Sequence, residues 1–170
     1  MALKFMMAAA AATMMRQISV VAPVTPAPLV AHRVDDLEME MEPAPIEPSW
    51  IIAGQPKARV ALHSRSGDDA ASTAIWDCTA GAFRWRFDWD ETVVILEGAV
   101  HVTAQDGSER LLRAGDIGTF AGGTLATWRV DTYVRKIAFC RRRFPAPVAM
   151  AYRLRNLLRG SSASSGSLAA

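Results

Sequence analysis

Cysteine is scarce in this chain, with Cys78 and Cys140 the two thiols among 170 residues. That scarcity argues against a disulfide framework or a cysteine-rich metal cluster. Both lie inside apolar, strand-like stretches and read as free thiols of a reducing compartment. Long apolar runs are also missing: none reaches the roughly eighteen residues that a spanning helix needs. There is no Gly-rich phosphate loop, no Ser-His-Asp order and no CxxC pair, so nucleotide hydrolysis, triad chemistry and dithiol exchange lack support. Neither charge sign dominates, since the net charge of +2 is too small to imply nucleic acid. The triplet Arg141, Arg142 and Arg143 has no interleaved stacking aromatics, which agrees with a protein that binds no nucleic acid.

What the chain does contain is apolar residues, 51% of the total, enough for one domain with a true core. At the N-terminus, Lys4 precedes an Ala/Met stretch in the order of a signal peptide. Arg16 and Gln17 then stand where small cleavage-site residues belong, so a cytoplasmic location is expected. Residues 18–49 mix proline and alanine with an acidic run and show no useful periodicity. Residues 1–49 are therefore expected to form a largely disordered extension and linker.

From Trp50 the texture changes to short apolar runs separated by turn signals at Ser66-Gly67-Asp68, Gly81, Glu97-Gly98, Asp106-Gly107, Gly115-Asp116 and Gly122-Gly123. Such spacing predicts an antiparallel barrel or sandwich over 50–140. Alternation puts Phe83, Trp85 and Phe87 on one strand face and Arg84, Arg86 and Asp88 on the other. The apolar run after Asp90-Glu91 is expected to stop at Glu97-Gly98 and to resume as a second strand that pairs back through Asp106-Gly107. Within 141–170, helical spacing from Val148 to Leu158 predicts a short basic amphipathic helix before a Ser/Gly/Ala tail.

In order and spacing, the stretches "WDCTAGAFRW", "DETVVILEG", "AVHVTAQDGSE", "RAGDIGTFAGGTLATWRV" and "YVRKIAF" resemble a small single-domain cupin. The likeness is to the branch related to the cupin domain of ureidoglycine aminohydrolase, and it covers about residues 50–140. It implies an all-β, RmlC-like jelly roll, a double-stranded β-helix. Glu91 and Gly98 match the glutamate and glycine of the first cupin motif, while its His-x-His positions fall on Trp85 and Phe87, or on Arg84 and Arg86. Gly115 and Gly123 match the second motif, Ala121 replaces its proline, and its histidine position falls on Ala126. One carboxylate without imidazoles holds a divalent transition metal poorly, so no metal and no other cofactor are expected. Trp76, Cys78, Phe83, Trp85, Trp128 and the run Val134-Arg135-Lys136 are the branch markers that this sequence keeps.

The resemblance implies a tryptophan-lined pocket, and Glu91, at the start of an apolar strand, is a desolvated acid that needs a donor if it points inward with Val93 and Ile95. Lys136 is its nearest candidate partner, and Trp85, Phe87, Trp128 and Cys78 are candidate ligand-binding residues. His101 alternates out of phase with Val100 and Val102, which places it on the surface or in sheet packing. The leading expectation is a non-metal cupin that binds a small organic metabolite, flat and polar-edged, in its barrel. One alternative is a ureidoglycine aminohydrolase-like or sugar-isomerase-like enzyme with Glu91 as acid or base and Lys136 as charge stabiliser. Another is an interaction module without a small ligand. A homodimer is expected from the resemblance, and for the basic helix, docking on the barrel or acidic linker is favoured over membrane contact.

Overall fold

The computed structural model describes residues 28–38 and 40–159. The N-terminal Ala/Met stretch and the Ser/Gly/Ala tail lie outside the described residues. Helix α1 (Val34–Glu38) leads to β1 (Glu42–Pro43), a 3-10 turn (Pro48–Trp50), β2 (Ile51–Gly54) and β3 (Ala58–Arg65). Then come β4 (Ala71–Arg86), β5 (Asp90–Ala104), β6 (Glu109–Arg113), β7 (Ile117–Phe120), β8 (Leu125–Arg141) and helix α2 (Ala146–Arg159).

Strand β8 is central, in the order β1-β3-β4-β8-β5-β6, with β2 added to β4 and β7 to β5. Both long neighbours run antiparallel to it. The β4 pairing ends with Arg86 opposite Leu125, whereas the β5 pairing begins with Asp90 opposite Arg141. Residues 87–89 alone join the two, and three residues reach little more than about 10 Å. Fully extended, the 17 residues of β8 would separate those two ends by about 55 Å. The sheet must therefore fold back on itself into two facing layers, which is the jelly roll expected of the sequence.

The fold-back occurs at bulges. Register shifts fall between Thr79 and Gly81 in β4, and between Ile95 and Glu97 and between Gly98 and His101 in β5. Gly98 has φ +71°, and a Cβ there would lie 2.0 Å from the Tyr133 carbonyl oxygen. A Cβ at Gly81 would meet the Pro56 ring at 2.7 Å. These two sites correct the expectation of turns. β4 and β5 continue through Gly81 and Glu97-Gly98, so the run from Asp90 is one strand and not two. Turns and bulges both call for glycine, and only the pairing with β8 on both sides of each glycine separates them.

The main core lies between the layers and includes Phe83, Val93, Ile95, Val100, Trp128 and Val134. A second cluster of Leu37, Ala61 and Ile75 covers the outer face of β3 and β4. It corrects the linker expectation for part of 18–49: α1 packs Leu37 on the sheet, β1 pairs Glu42 with Val60, and Ile46 enters the main core. Arg135 adds a 2.8 Å link to Glu38. Isolated apolar residues dock here without repeating, so no periodic signal marks them.

Helix α2 forms where expected but does not dock on the described residues of the barrel. From Ala146 to Leu157 every residue is exposed except Ala149, which is half-buried. Docking needs a matching apolar face on the barrel, a property that the helix sequence does not contain. No helix among the described residues is long and apolar enough to cross a membrane.

The start of β5 is pinned by Asp90, which accepts hydrogen bonds from the Gly122 N–H at 2.8 Å and from Arg143 Nε at 2.6 Å. The Gly122 amide and then Arg143 hold this carboxyl below its ordinary value. Its contribution to stability is thus fully present above about pH 3.8, the unfolded value, and is lost as the pH falls through the lower folded one. Asp90→Asn is expected to flatten the fall of the melting temperature with acid over that window. For the bulge, Gly98→Ala is expected to destabilise by about 3 kcal/mol or more, and Gly107→Ala, also at positive φ but in open space, by about 1 kcal/mol. Chemical denaturation of the two variants beside the parent checks the contrast.

Candidate functional site

Period two in β5 and β8 turns Glu91, Val93 and Ile95 from one strand, and Trp128, Val134, Lys136 and Ala138 from the other, toward the interior. Lys136 sits opposite Ile95 on β5 and opposite Trp76 on β4. Glu91 pairs in register with Cys140, so the lysine side chain runs along the sheet to reach it. Lys136 Nζ donates to Glu91 Oε1 at 2.5 Å, and the two residues are only 3% and 9% exposed.

The ammonium is enclosed by rings, its Nζ lying 4.5 Å from the Trp128 ring centroid and 4.9 Å from that of Trp76. The two indoles meet edge to face at 6.0 Å. Cation–π attraction in a desolvated box adds about 2 kcal/mol, which offsets part of the cost of burying the charges. Both indole N–H groups are left over: Trp76 Nε1 and Trp128 Nε1 are buried and have no hydrogen-bond partner among the described residues. An unpaired buried donor costs about 1–3 kcal/mol.

The structure gathers Glu91, Lys136 and Trp128 at one point. Trp85 borders them through Trp76, at 5.9 Å, and packs against Trp50 at 6.0 Å near the surface. Phe87 lies further off, stacked on Phe120 at 4.3 Å, with Phe120 in turn 5.6 Å from Trp128. Cys78 is a wall residue whose thiol is pushed up to about 12, first by burial and then by the Asp77 charge. Cys140 is raised as well, by burial and then by Glu91. Trp76 contacts the lysine directly, a role missed in the sequence although its place two residues before inward-facing Cys78 puts it on the same face. His101 is on the outer face, 3.1 Å from Asp131, beside a cleft of about 440 Å³ that Arg110, Thr127 and Arg129 also line.

A cupin metal does not fit these residues. Trp85 and Ala126, two of the former ligand positions, face each other across the β4–β8 ladder, and the alternative pair Arg84 and Arg86 points to solvent. The Glu91 oxygen is already held by an ammonium. Among the described residues no three His, Cys, Asp or Glu side chains come together as a ligand set. The donors here are two indole N–H groups and an ammonium, which suit an oxygen acceptor and not a cation.

Residues 65–138 match the family described as the EutQ-like cupin domain. Among solved structures, a DUF861-family protein of unknown function from Pseudomonas syringae pv. tomato is similar at 24% identity and a TM-score of 0.55. That likeness covers 59% of this chain and 43% of the Pseudomonas chain. A protein of unknown function from Rhizobium leguminosarum is similar at 13% identity and a TM-score of 0.51, over 69% of this chain and all of the other (100%). A DUF861-family protein from Thermotoga maritima shares 41% identity over 38% of this chain and 73% of its own, with a TM-score of 0.36. No protein of curated function matches the sequence.

If the ion pair is a net cost to folding, Glu91→Leu or Lys136→Met alone is expected to destabilise by about 3–5 kcal/mol, while the double variant returns to within about 1–2 kcal/mol of the parent. Urea denaturation of all four proteins measures it. At neutral pH a thiol reagent is expected to label Cys78 only after unfolding, as the shifted thiol and its burial both require.

Proposed function

We propose that this chain, whose residues 65–138 match the EutQ-like cupin domain, binds a small organic molecule between its sheet layers at Glu91 and Lys136. The observation that carries the reading is the pair of unpartnered indole N–H groups beside a buried ammonium–carboxylate pair. Packing alone does not account for them, because hydrophobic residues of similar volume would fill the same space at equal or lower cost. A ligand with one or two carbonyl or carboxylate oxygens and a flat apolar body satisfies both indoles and lies against rings that already enclose a cation.

The resemblance to the ureidoglycine aminohydrolase branch, carried by Trp76, Cys78, Phe83, Trp85, Trp128 and Lys136, points to the same class, since ureides present amide carbonyls beside a carboxylate. Within such a complex Glu91 would take or give a proton, and Lys136 would balance charge on an oxygen. The reading requires neither to do so. A second reading is an interaction module, favoured by the close packing of Phe83, Phe87 and Trp128, all at most 2% exposed.

Trp128→Phe separates the two. It keeps a ring and removes one orphan donor. Under the ligand reading, a thermal-shift or NMR screen of small carboxylates, amides and ureides yields binders to the parent, and Trp128→Phe, still folded though less stable for its smaller core ring, weakens them about tenfold. An equal affinity of both proteins for every binder, or no binder in the class, would leave the interaction module.

A further inference from the structure

The segment after the barrel carries an unpartnered amphipathic helix. Residues 141–159 hold six arginines and no acidic residue. In α2, Met150, Leu154 and Leu157 recur at helical spacing on one face, and they are 69%, 51% and 78% exposed. At 100° per residue Arg155 lies opposite that face and Arg153 flanks it. Arg155 is braced against the Tyr152 ring at 4.9 Å, and Tyr152 stacks on Phe144 at 5.4 Å, so the start of the helix is tied to the segment that leaves β8. An exposed apolar stripe is costly in water, and nothing on the described barrel covers it.

We infer that α2 is a docking element for an anionic lipid bilayer, lying in the interfacial plane with Met150, Leu154 and Leu157 among the acyl chains and its arginines on the headgroups. Charge selects this occupant, because a wholly cationic segment matches an anionic surface. The apolar stripe selects it further, since a nucleic acid would use the arginines but has no layer in which to bury the leucines. Length agrees with in-plane binding: 14 residues make about 21 Å of helix, short of the roughly twenty residues needed to span.

The test is co-sedimentation of the full-length protein with vesicles of phosphatidylcholine alone and of phosphatidylcholine mixed with phosphatidylserine. Expected is pelleting with the mixed vesicles only, weakened by added salt. The double variant Arg153→Gln, Arg155→Gln lowers partition roughly thirtyfold, and Leu154→Ala, Leu157→Ala lowers it at least about tenfold. Because α2 packs on nothing that stabilises the barrel, both variants keep the parent's thermal melt, which separates lost binding from lost folding. Three results would overturn the inference: equal pelleting with neutral vesicles, pelleting that is unchanged by the leucine substitutions, or no pelleting at all. The last, with retention of a nucleic-acid duplex in a gel, would assign the arginines to nucleic acid.

Discussion

Strand β8 hydrogen-bonds to β4 on one side and to β5 on the other along almost its whole length, while a link of three residues, 87–89, joins the far ends of those neighbours. A sheet with such connectivity has no flat solution. It bends where the ladder tolerates an extra residue, at Gly81 and Gly98, and the bend brings Trp128 on the first half of β8 to within reach of Lys136 on the second. The interior is thus made by one strand facing itself. Two residues eight apart in sequence, which on a straight strand would stand about 26 Å apart, become contact partners.

What that interior holds is unusual for a small β-domain. Its apolar residues account for its cohesion, and the Glu91–Lys136 pair works against them through desolvation. The rings recover part of the loss: Trp76 and Trp128 offer the ammonium their negative faces, while their N–H edges find no acceptor among the described residues. An arrangement with donors to spare and a charge already neutralised is selective. Under the proposed ligand reading, it would favour an incoming oxygen over a metal ion and a flat molecule over a bulky one.

The two ends of the chain treat the barrel differently. The acidic stretch before Trp50 lays α1 and β1 on the outer sheet, where Leu37 fills a small cluster and Glu38 meets Arg135. The basic stretch after Arg141 keeps its apolar stripe in solvent. Both carry amphipathic residues next to a sheet. The difference is a receiving surface, present for Leu37 between Ala61 and Ile75 and absent for Leu154.

Much of this was legible in the sequence. Alternation through Phe83, Trp85 and Phe87 and through Glu91, Val93 and Ile95 determined which side chains face inward, because a strand has period two whatever surrounds it. Helical spacing after Pro145 determined α2 in the same local way. The lack of histidine at the positions that the cupin resemblance assigns to ligands, whether Trp85 and Phe87 or Arg84 and Arg86, and Ala126, was likewise visible in residue types alone. The rest needed the fold: that Gly81 and Glu97-Gly98 are bulges and not turns, that Leu37 and Ile46 are packed, that Trp76 touches the lysine, and that α2 is exposed among the described residues. Each of those depends on a partner distant in sequence, and local periodicity carries no information about which surface a residue will meet. Only the pairing of β5 with β8 decided that Glu91 and Lys136, 45 residues apart, would meet, and only the fold-back of β8 closed Trp128 over them.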